Sequence, residues 1–329
     1  MTPIQETILN KKTTNTPIWL MRQAGRYLPE FRKIRKLNPD FINLCLNENL
    51  SSEITLQPLK RFELDAAIIF SDILMVPYGL NQKVEFKKDY GPQLGPLNLD
   101  EIIKIDEIDF IKKIYPIYKS IKRVSKNSLV KDKNLIGFIG APWTLLVYMI
   151  NKHSPKKELI KEFFKDEFLI NRILVILEKF LKIHIDHQIK NGANVIQIFD
   201  SWAGLLDEKD LPNYVYIPTL NLVDYVKSLN IPVICFPRGI KNYKNYCDIV
   251  KPDVVNIDYN VNPKSICKDI SIPVQGGLDP KVLLTDKENL KKQTLKYLET
   301  FKDHPYIFNL GHGVLPETNP EMVDYLVKM

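Results

Sequence analysis

The chain has 329 residues, of which 45% are hydrophobic, 26% charged and 10% aromatic, and this balance excludes a disordered chain, a collagen-like repeat and a disulfide-rich miniprotein. The 46 Lys and Arg residues exceed the 39 Asp and Glu residues, for a net charge of +7. No run of the sequence holds more than a few Lys, so the charge gives no indication of a nucleic-acid partner.

Short apolar runs alternate along the chain with amphipathic, Lys-rich stretches. The short runs predict eight buried strands: residues 18–21, 66–70, 135–140, 195–199, 232–236, 254–258, 272–276 and 306–310. The amphipathic stretches predict helices over residues 29–37, 51–61, 154–190, 220–229, 243–250, 287–301 and 321–329, with an apolar helix following Pro142. In the long helix we expect Phe164, Leu169, Ile173, Leu177 and Leu181 to face the core.

Strands that alternate with helices favour a parallel sheet, and eight such units favour a single α/β domain over residues 1–329 with a (β/α)8 TIM-barrel fold. The runner-up is an open doubly wound sheet. It would lead us to expect a glycine-rich phosphate loop after the first strand, whereas residues 22–26 read RQAGR. In a barrel the active-site cleft lies at the C-terminal ends of the strands, so the residues just after each run are the candidates for function.

Polar side chains follow several of these runs. They are Arg22, Arg26, Asp72, Tyr148, Asp200, Ser201, Arg238 and His312. Each also has an ordinary structural interpretation: an Asp after a strand caps a turn, a Tyr is buried in a core, a lone His is a structural residue, and an Arg forms ion pairs in a surface loop. Arginine is scarce, with 8 Arg against 38 Lys, and four Arg fall within residues 22–35. That local choice indicates that the planar guanidinium is needed there, as in carboxylate recognition.

The sequence predicts no metal site. His184 and His187 lie three residues apart in the middle of a predicted helix, and Cys235 has no His or Cys two residues away. Zinc sites take three or four ligands. The four cysteines form no CxxC pair, the N-terminus has no signal-like apolar segment, and no apolar run approaches the roughly 20 residues of a membrane helix. We therefore expect a cytoplasmic protein without a membrane partner.

Five strings of residues, taken in order, carry a resemblance to a known family. They are RQAGRYLPE at 22–30, FSDIL at 70–74, GAPWTL at 140–145, QIFDSWAG at 197–204 and NLGHG at 309–313. Together they make the chain resemble the uroporphyrinogen decarboxylases, from about residue 18 to the C-terminus, which is nearly the whole chain.

The resemblance implies a cofactor-independent decarboxylase that removes the four acetate carboxyl groups of uroporphyrinogen III to give coproporphyrinogen III in haem biosynthesis. It also implies a homodimer and a tetrapyrrole as the small-molecule partner. By the same resemblance Asp72, Arg22, Arg26 and Tyr148 are the catalytic residues. Gln23, Ala24, Ser201 and His312 join these four in binding the substrate, with Gln23 and Ala24 contributing backbone contacts. The identity of the proton donor stays open, because an arginine is a poor acid at its ordinary pKa.

Two other functions fit the same barrel. A zinc-dependent, corrinoid-linked methyltransferase of the same superfamily would need thiolate and imidazole ligands at strand ends, and no His stands two residues before Cys235. A tetrapyrrole-binding protein without activity would not need both Asp72 and the paired Arg22 and Arg26.

Overall fold

The computed structural model describes residues 1–10, 15–87, 90–155, 159–160 and 164–329. Its strands are β1 (Ala66–Ile68), β2 (Val84–Lys87), β3 (Gly91–Leu94), β4 (Asn134–Gly140), β5 (Val195–Asp200), β6 (Val233–Pro237), β7 (Val254–Ile257), β8 (Val274–Gly276) and β9 (Tyr306–Ile307). Its helices are α1 (Pro3–Asn10), α2 (Pro29–Leu37), α3 (Phe41–Cys45), α4 (Glu48–Arg61), α5 (Met75–Gly79), α6 (Leu99–Ile103), α7 (Glu107–Ser125), α8 (Pro142–Asn151), α9 (Glu167–Lys190), α10 (Ile217–Ser228), α11 (Tyr243–Val250), α12 (Pro263–Asp269), α13 (Lys287–Thr300) and α14 (Pro320–Val327).

Seven of the strands form one parallel sheet in the order β1-β4-β5-β6-β7-β8-β9. Each strand pairs with the next strand of the sheet along the chain, and helices lie in most of the connections, which is the arrangement that parallel pairing requires. The remaining pair, β2 and β3, is a small antiparallel hairpin that the sequence did not predict. The structure therefore confirms an α/β fold with a curled parallel sheet of seven strands.

The predicted first strand, residues 18–21, does not form as an element. Only Ile18 is bridged, to Phe308 beside β9. The segment nevertheless bonds to both edges of the sheet: Trp19 N donates to the Phe308 carbonyl at 3.3 Å, and Asp65 N, next to β1, donates to the Ile18 carbonyl at 2.8 Å. Its ladder is short because the chain turns immediately afterwards at Arg22, which has a left-handed φ of 61°.

Alternate residues of each strand point to two different cores. One side of the sheet, continuous with α1, is lined by the inner cluster of Ile4, Ile8, Trp19, Met21, Ala66, Ile136, Val195, Ile234, Phe236, Val254 and Ile307. The other side packs against the helices in a larger cluster that includes Ile196, Ile198 and Cys235. The alternation of side chains along β6 thus places Phe236 on the inner side and Cys235 among the helices.

Several predicted helices are confirmed with small shifts of their ends. Residues 29–37 and 243–250 match α2 and α11, while α4 begins earlier than predicted because Asn47 caps it. The helix predicted over 154–190 is wrong at its start, since the helix begins at Glu167 and residues 156–158 and 161–163 lie outside the described residues. Phe164, expected in the core, is 40% exposed, whereas Ile173, Leu177 and Leu181 are buried as predicted.

Candidate active site

The C-terminal ends of the seven parallel strands meet at one edge of the sheet, and the loops that follow them carry the candidate residues. Asp72 follows β1, Ser201 follows β5, and Arg238 follows β6. Tyr148 reaches this edge from α8, the helix after β4, and His312 from the segment after β9. The structure thus gathers at one edge residues that are up to 290 positions apart in the chain (312 − 22).

The backbone before Arg22 is held on both sides by the segment after β9. Met21 N donates to the Asn309 side-chain carbonyl at 3.0 Å, and Val314 N donates to the Met21 carbonyl at 2.9 Å. Arg22 itself takes the left-handed φ that non-glycine residues rarely adopt, at a cost on the order of 1–2 kcal/mol. A strained backbone that its neighbours fix in place is typical of a functional position.

Gly313 makes room for the Arg22 side chain. A Cβ on Gly313 would lie 2.3 Å from Cδ and 2.6 Å from Cγ of Arg22, so only glycine fits without moving the arginine. The segment 309–314 therefore sets both the backbone and the side-chain direction of Arg22.

Arg22 faces the one acidic candidate of the cleft. Water reaches its side chain, yet burial by the surrounding protein lowers its pKa, against the opposing charge of Asp72. Nearby Arg26 and Arg238 lower it further. A side chain that is open to solvent and still surrounded by protein lies in the wall of a concave cleft, which is where a ligand can replace water.

Asp72 lies in the same recess. One carboxylate oxygen accepts from Leu74 N at 2.9 Å, which fixes the side chain over the start of the following turn. Burial raises the pKa of Asp72, and the Leu74 hydrogen bond and the charge of Arg22 partly oppose this effect. The resulting pKa is about 6. The side chain is only half-buried, so the other oxygen can meet a ligand N–H. A carboxyl with this pKa is mainly ionised at neutral pH.

Tyr148 and Trp202 form a second wall of the cleft. Their ring centroids are 5.9 Å apart in an edge-to-face arrangement, and Ser154 Oγ donates to the Tyr148 hydroxyl at 3.4 Å. Burial raises the Tyr148 pKa, so the phenol stays protonated and can donate a hydrogen bond. The Trp202 indole nitrogen lies close enough to the Tyr148 hydroxyl to lower its pKa, but it makes no hydrogen bond of good geometry. Ser201, half-buried, precedes Trp202 on this wall.

His312 faces the cations across the cleft. Burial, together with the charges of Arg22 and Arg238, lowers its pKa to about 4. The ring is therefore neutral at physiological pH and offers one N–H and one lone pair for hydrogen bonding.

Arg238 is the residue whose place the sequence left undecided. Arg238 directly follows β6, and its charge lowers the pKa of both Arg22 and His312, so its guanidinium lies near them at this edge of the sheet. The Arg238 side chain is half-buried. Among the ion pairs of the described residues, none involves its guanidinium. The signal that could have identified it was its position at a strand end in a chain with few arginines.

The other residues predicted from the Arg22 loop have different surroundings. The Gln23 side chain is buried, accepting from Leu20 N at 3.0 Å and donating to the Ala66 carbonyl at 2.9 Å, so it anchors the loop to β1. Ala24 is half-buried against the larger cluster. Arg26 is exposed, and its carbonyl accepts from Arg32 at 2.9 Å, which gives Arg32 a supporting role on α2.

Two further features lie apart from this cleft. An apolar groove of about 430 Å³ opens on the outer surface between α9 and the segment from α6 to Ile105, where Phe168 and Val175 line it. It contains none of the predicted residues. The described ranges hold no group of three or more His, Cys, Asp or Glu placed to bind a metal ion, and no helix in them is long and apolar enough to cross a membrane.

The family model of uroporphyrinogen decarboxylase (URO-D) matches residues 1–329. This chain belongs to the uroporphyrinogen decarboxylase family. The "Uroporphyrinogen decarboxylase" of Rickettsia felis is 40% identical over 327 residues, covering 97% of this chain and 94% of the relative. That of Rickettsia bellii is 41% identical over 318 residues (95% and 93%), and that of Agrobacterium fabrum is 38% identical over 330 residues (98% and 95%).

A solved structure described as a methyltransferase from Methanosarcina mazei has the same fold. It aligns with a TM-score of 0.76 at 14% identity, covering 98% of this chain and 95% of that one. At this identity the likeness concerns the fold alone. The family resemblance inferred from the five strings is thus confirmed, while the methyltransferase alternative gains no support beyond a shared architecture.

Proposed function

We propose that this member of the uroporphyrinogen decarboxylase family removes the four acetate carboxyl groups of uroporphyrinogen III, giving coproporphyrinogen III, without a metal or organic cofactor. The observation that carries the proposal is that Asp72 and Arg22 lie close together in one cleft that is open to solvent. The cations Arg26 and Arg238 lie near them. Asp72, Arg22, Arg26 and Tyr148 act in the reaction. They bind the substrate together with Gln23, Ala24, Ser201 and His312.

The reaction needs a place for an electron pair. Breaking the bond between the acetate methylene and its carboxyl carbon releases CO2 and leaves two electrons on the methylene. A pyrrole ring that has first taken up a proton is a cation and accepts that pair; the methylene then takes a proton to become methyl, and the ring returns its added proton. The Asp72 carboxylate, facing the pyrrole N–H groups, stabilises the cationic ring through a charge that is already in place.

The substrate carries eight carboxylates, and the cleft meets them with cations and neutral donors. Arg22 and Arg26 offer forked guanidinium donors, and Arg238 adds a third from the turn after β6. Neutral His312 and the protonated Tyr148 phenol donate hydrogen bonds without adding charge. The cluster of like charges on Arg22, Arg26 and Arg238 is unfavourable when empty, and a polyanionic ligand relieves it.

The direct test is to incubate the purified protein with reduced uroporphyrinogen III under anaerobic conditions in the presence of a metal chelator. Coproporphyrinogen, identified by chromatography after oxidation, is the expected product, with partly decarboxylated intermediates at early times. Folded protein that binds the tetrapyrrole tightly and releases no CO2 would contradict the proposal in favour of a binding protein. One zinc per chain with methyl transfer would do so in favour of the methyltransferase.

The pH dependence follows from the raised pKa of Asp72. The ionised form is the active one, so kcat/KM is expected to fall as the pH decreases through about 6, approaching tenfold per pH unit at lower pH. His312 stays neutral throughout this range because its pKa is about 4. Initial rates between pH 5 and 8 measure this decrease in kcat/KM. An unchanged kcat/KM down to pH 5 would contradict this role of Asp72.

A role for Arg238 in carboxylate binding predicts a change in KM. Replacing Arg238 by Gln is expected to raise KM about tenfold or more with a smaller change in kcat, in keeping with the ~1.5–3 kcal/mol of a hydrogen bond to a charged group. Arg238→Lys keeps the charge and should recover part of the loss. Steady-state kinetics on both variants measures these changes. An Arg238→Gln variant with the KM of the parent protein would show that Arg238 does not bind the substrate.

We also propose that the chain is one domain over residues 1–329, and that residues 17–19 close the curled sheet into a (β/α)8 barrel. The hydrogen bonds of Ile18 and Trp19 to both sheet edges support the closure. We further propose a cytoplasmic homodimer with no nucleic-acid or membrane partner. Sedimentation of the purified protein tests the dimer, and a single species near the 38.3 kDa of one chain would contradict it.

A further inference from the structure

The loop after β5 is fixed by a buried hydrogen-bonded network that no part of the proposed reaction uses. Asp200, the last residue of β5, is 1% exposed and points to the helix side of the sheet. One of its carboxylate oxygens accepts from the Thr144 hydroxyl at 2.6 Å. Thr144 lies in the first turn of α8 and is itself fully buried. The contact therefore joins the end of one strand to the helix that follows the neighbouring strand.

The same hydroxyl also holds the backbone of the cleft wall. Thr144 Oγ accepts from Trp202 N at 3.2 Å, and the Trp143 indole donates to the Trp202 carbonyl at 2.9 Å. The peptide groups on both sides of Trp202 are thus bonded to the start of α8. Ser201 lies between Asp200 and Trp202, so its backbone is fixed from both ends.

The network reaches Tyr148 by a second path. Thr144 and Tyr148 are four residues apart on α8, which places them on one face of that helix. The Trp202 ring, set by its bonded backbone, packs edge-to-face on Tyr148. One hydroxyl therefore couples the positions of Ser201 and Tyr148.

The network fixes the loop at a cost in folding free energy. The second oxygen of Asp200 is buried and, among the described residues, accepts no hydrogen bond of good geometry, although the nearby Trp202 backbone lowers the pKa of this carboxyl, which burial raises. A buried carboxyl oxygen with such poor pairing disfavours the folded state. An apolar pair of the same shape would pack without this cost. A buried polar group of this kind, at a strand end next to a cleft, is typical of a positioning role.

Resting on the proposed function, we infer that the Asp200–Thr144–Trp202 network positions the wall of the cleft, so that Ser201 and Tyr148 meet the reacting tetrapyrrole in register. Thr144 and Asp200 are positioning residues, since neither reaches the cleft. A displacement of about 1 Å in such a wall costs on the order of a hundredfold in rate.

Four proteins test the inference: the parent, Thr144→Val, Thr144→Ser and Thr219→Val. Valine at 144 keeps the shape and removes both hydrogen bonds, whereas serine keeps the oxygen. Thr219, on α10, is as buried as Thr144 and its hydroxyl has no partner among the described residues, so Thr219→Val makes the same chemical change elsewhere.

We expect Thr144→Val to lower kcat/KM for uroporphyrinogen 10- to 100-fold, with Thr144→Ser within threefold of the parent and Thr219→Val unchanged. Hydrogen exchange of the peptide covering residues 199–205 should speed up in Thr144→Val alone. This readout does not depend on activity, so it separates the network from the proposed function: a parent protein without decarboxylase activity contradicts the function, while unchanged exchange in Thr144→Val overturns the network.

Equal kcat/KM in Thr144→Val and the parent would also overturn the inference, as would equal losses in the Val and Ser variants. If Thr144→Val yields no folded protein, Trp143→Phe removes the other bond to the Trp202 backbone and keeps an aromatic ring. It is expected to lower kcat/KM severalfold and to speed exchange in the same peptide, and no change in either quantity would count against the network.

Discussion

Asp72→Asn is expected to lower kcat about a thousandfold and to leave the fold intact. The Asn side chain keeps the acceptor that Leu74 N requires, so the turn after β1 is preserved. It removes the negative charge that we propose stabilises the protonated pyrrole ring, and loss of one preorganised electrostatic group costs ~10²–10³ in rate. Single-turnover assays with uroporphyrinogen measure the chemical step, and circular dichroism reports the fold.

A matched control exists in the same chain. Asp286→Asn makes the same change at the N-terminus of α13, where Asp286 caps the helix through Asn289 N and an Asn caps equally well. Its kcat should equal that of the parent. If Asp72→Asn also turned over at a comparable rate, the electrostatic role of Asp72 would be wrong and the cationic ring would need another partner.

Arg22→Asn is expected to abolish most of the activity while maintaining or raising the stability. Arg22 holds a φ of 61°, and Asn tolerates this left-handed conformation better than Arg, so the free energy of unfolding should rise by up to about 1 kcal/mol. The guanidinium that faces Asp72 is lost, and kcat/KM should fall by at least ~10²-fold, as for removal of a charge-assisted contact in a cleft. Chemical denaturation and steady-state kinetics measure the two changes.

Gly313→Ala provides an independent check on the same side chain. Its methyl group would occupy the space of Cγ and Cδ of Arg22, so the arginine is displaced without being deleted. We expect a loss of activity in the same direction as Arg22→Asn, with a smaller magnitude. An Arg22→Asn variant that is both less stable and fully active would contradict the assignment of strain and function to this residue.

The order of strands and helices could be predicted from the sequence because each follows from local periodicity. Seven of the eight apolar runs became strands of one sheet, and α2 and α11 have the predicted bounds. The first run failed because its length as a strand depends on partners at both edges of the sheet and on the turn at Arg22. Phe164 was misplaced because apolar periodicity before Glu167 was read as a continuation of α9.

The candidate site could be predicted in part. Motifs at strand ends placed Asp72, Tyr148 and His312 at one edge, since parallel strands all end on the same side. Gln23 shows the limit of this reasoning: it lies between two arginines in sequence, but its side chain is bonded to Leu20 and Ala66. Asp200 shows a second limit of this reasoning. Side chains alternate between the two faces of β5, and only the structure shows that Asp200 points to the helix layer and away from the cleft.

By itself, the sequence determined the family, the alternation of strands and helices, and the edge of the sheet that carries the candidate site. Those properties depend on residue types and spacings along one stretch of chain. The tertiary structure alone decided the raised pKa of Asp72, the lowered pKa of His312, the left-handed turn at Arg22 and the Asp200–Thr144 contact. Each of these depends on groups far apart in the chain, and burial and charge are known only once folding has brought them together.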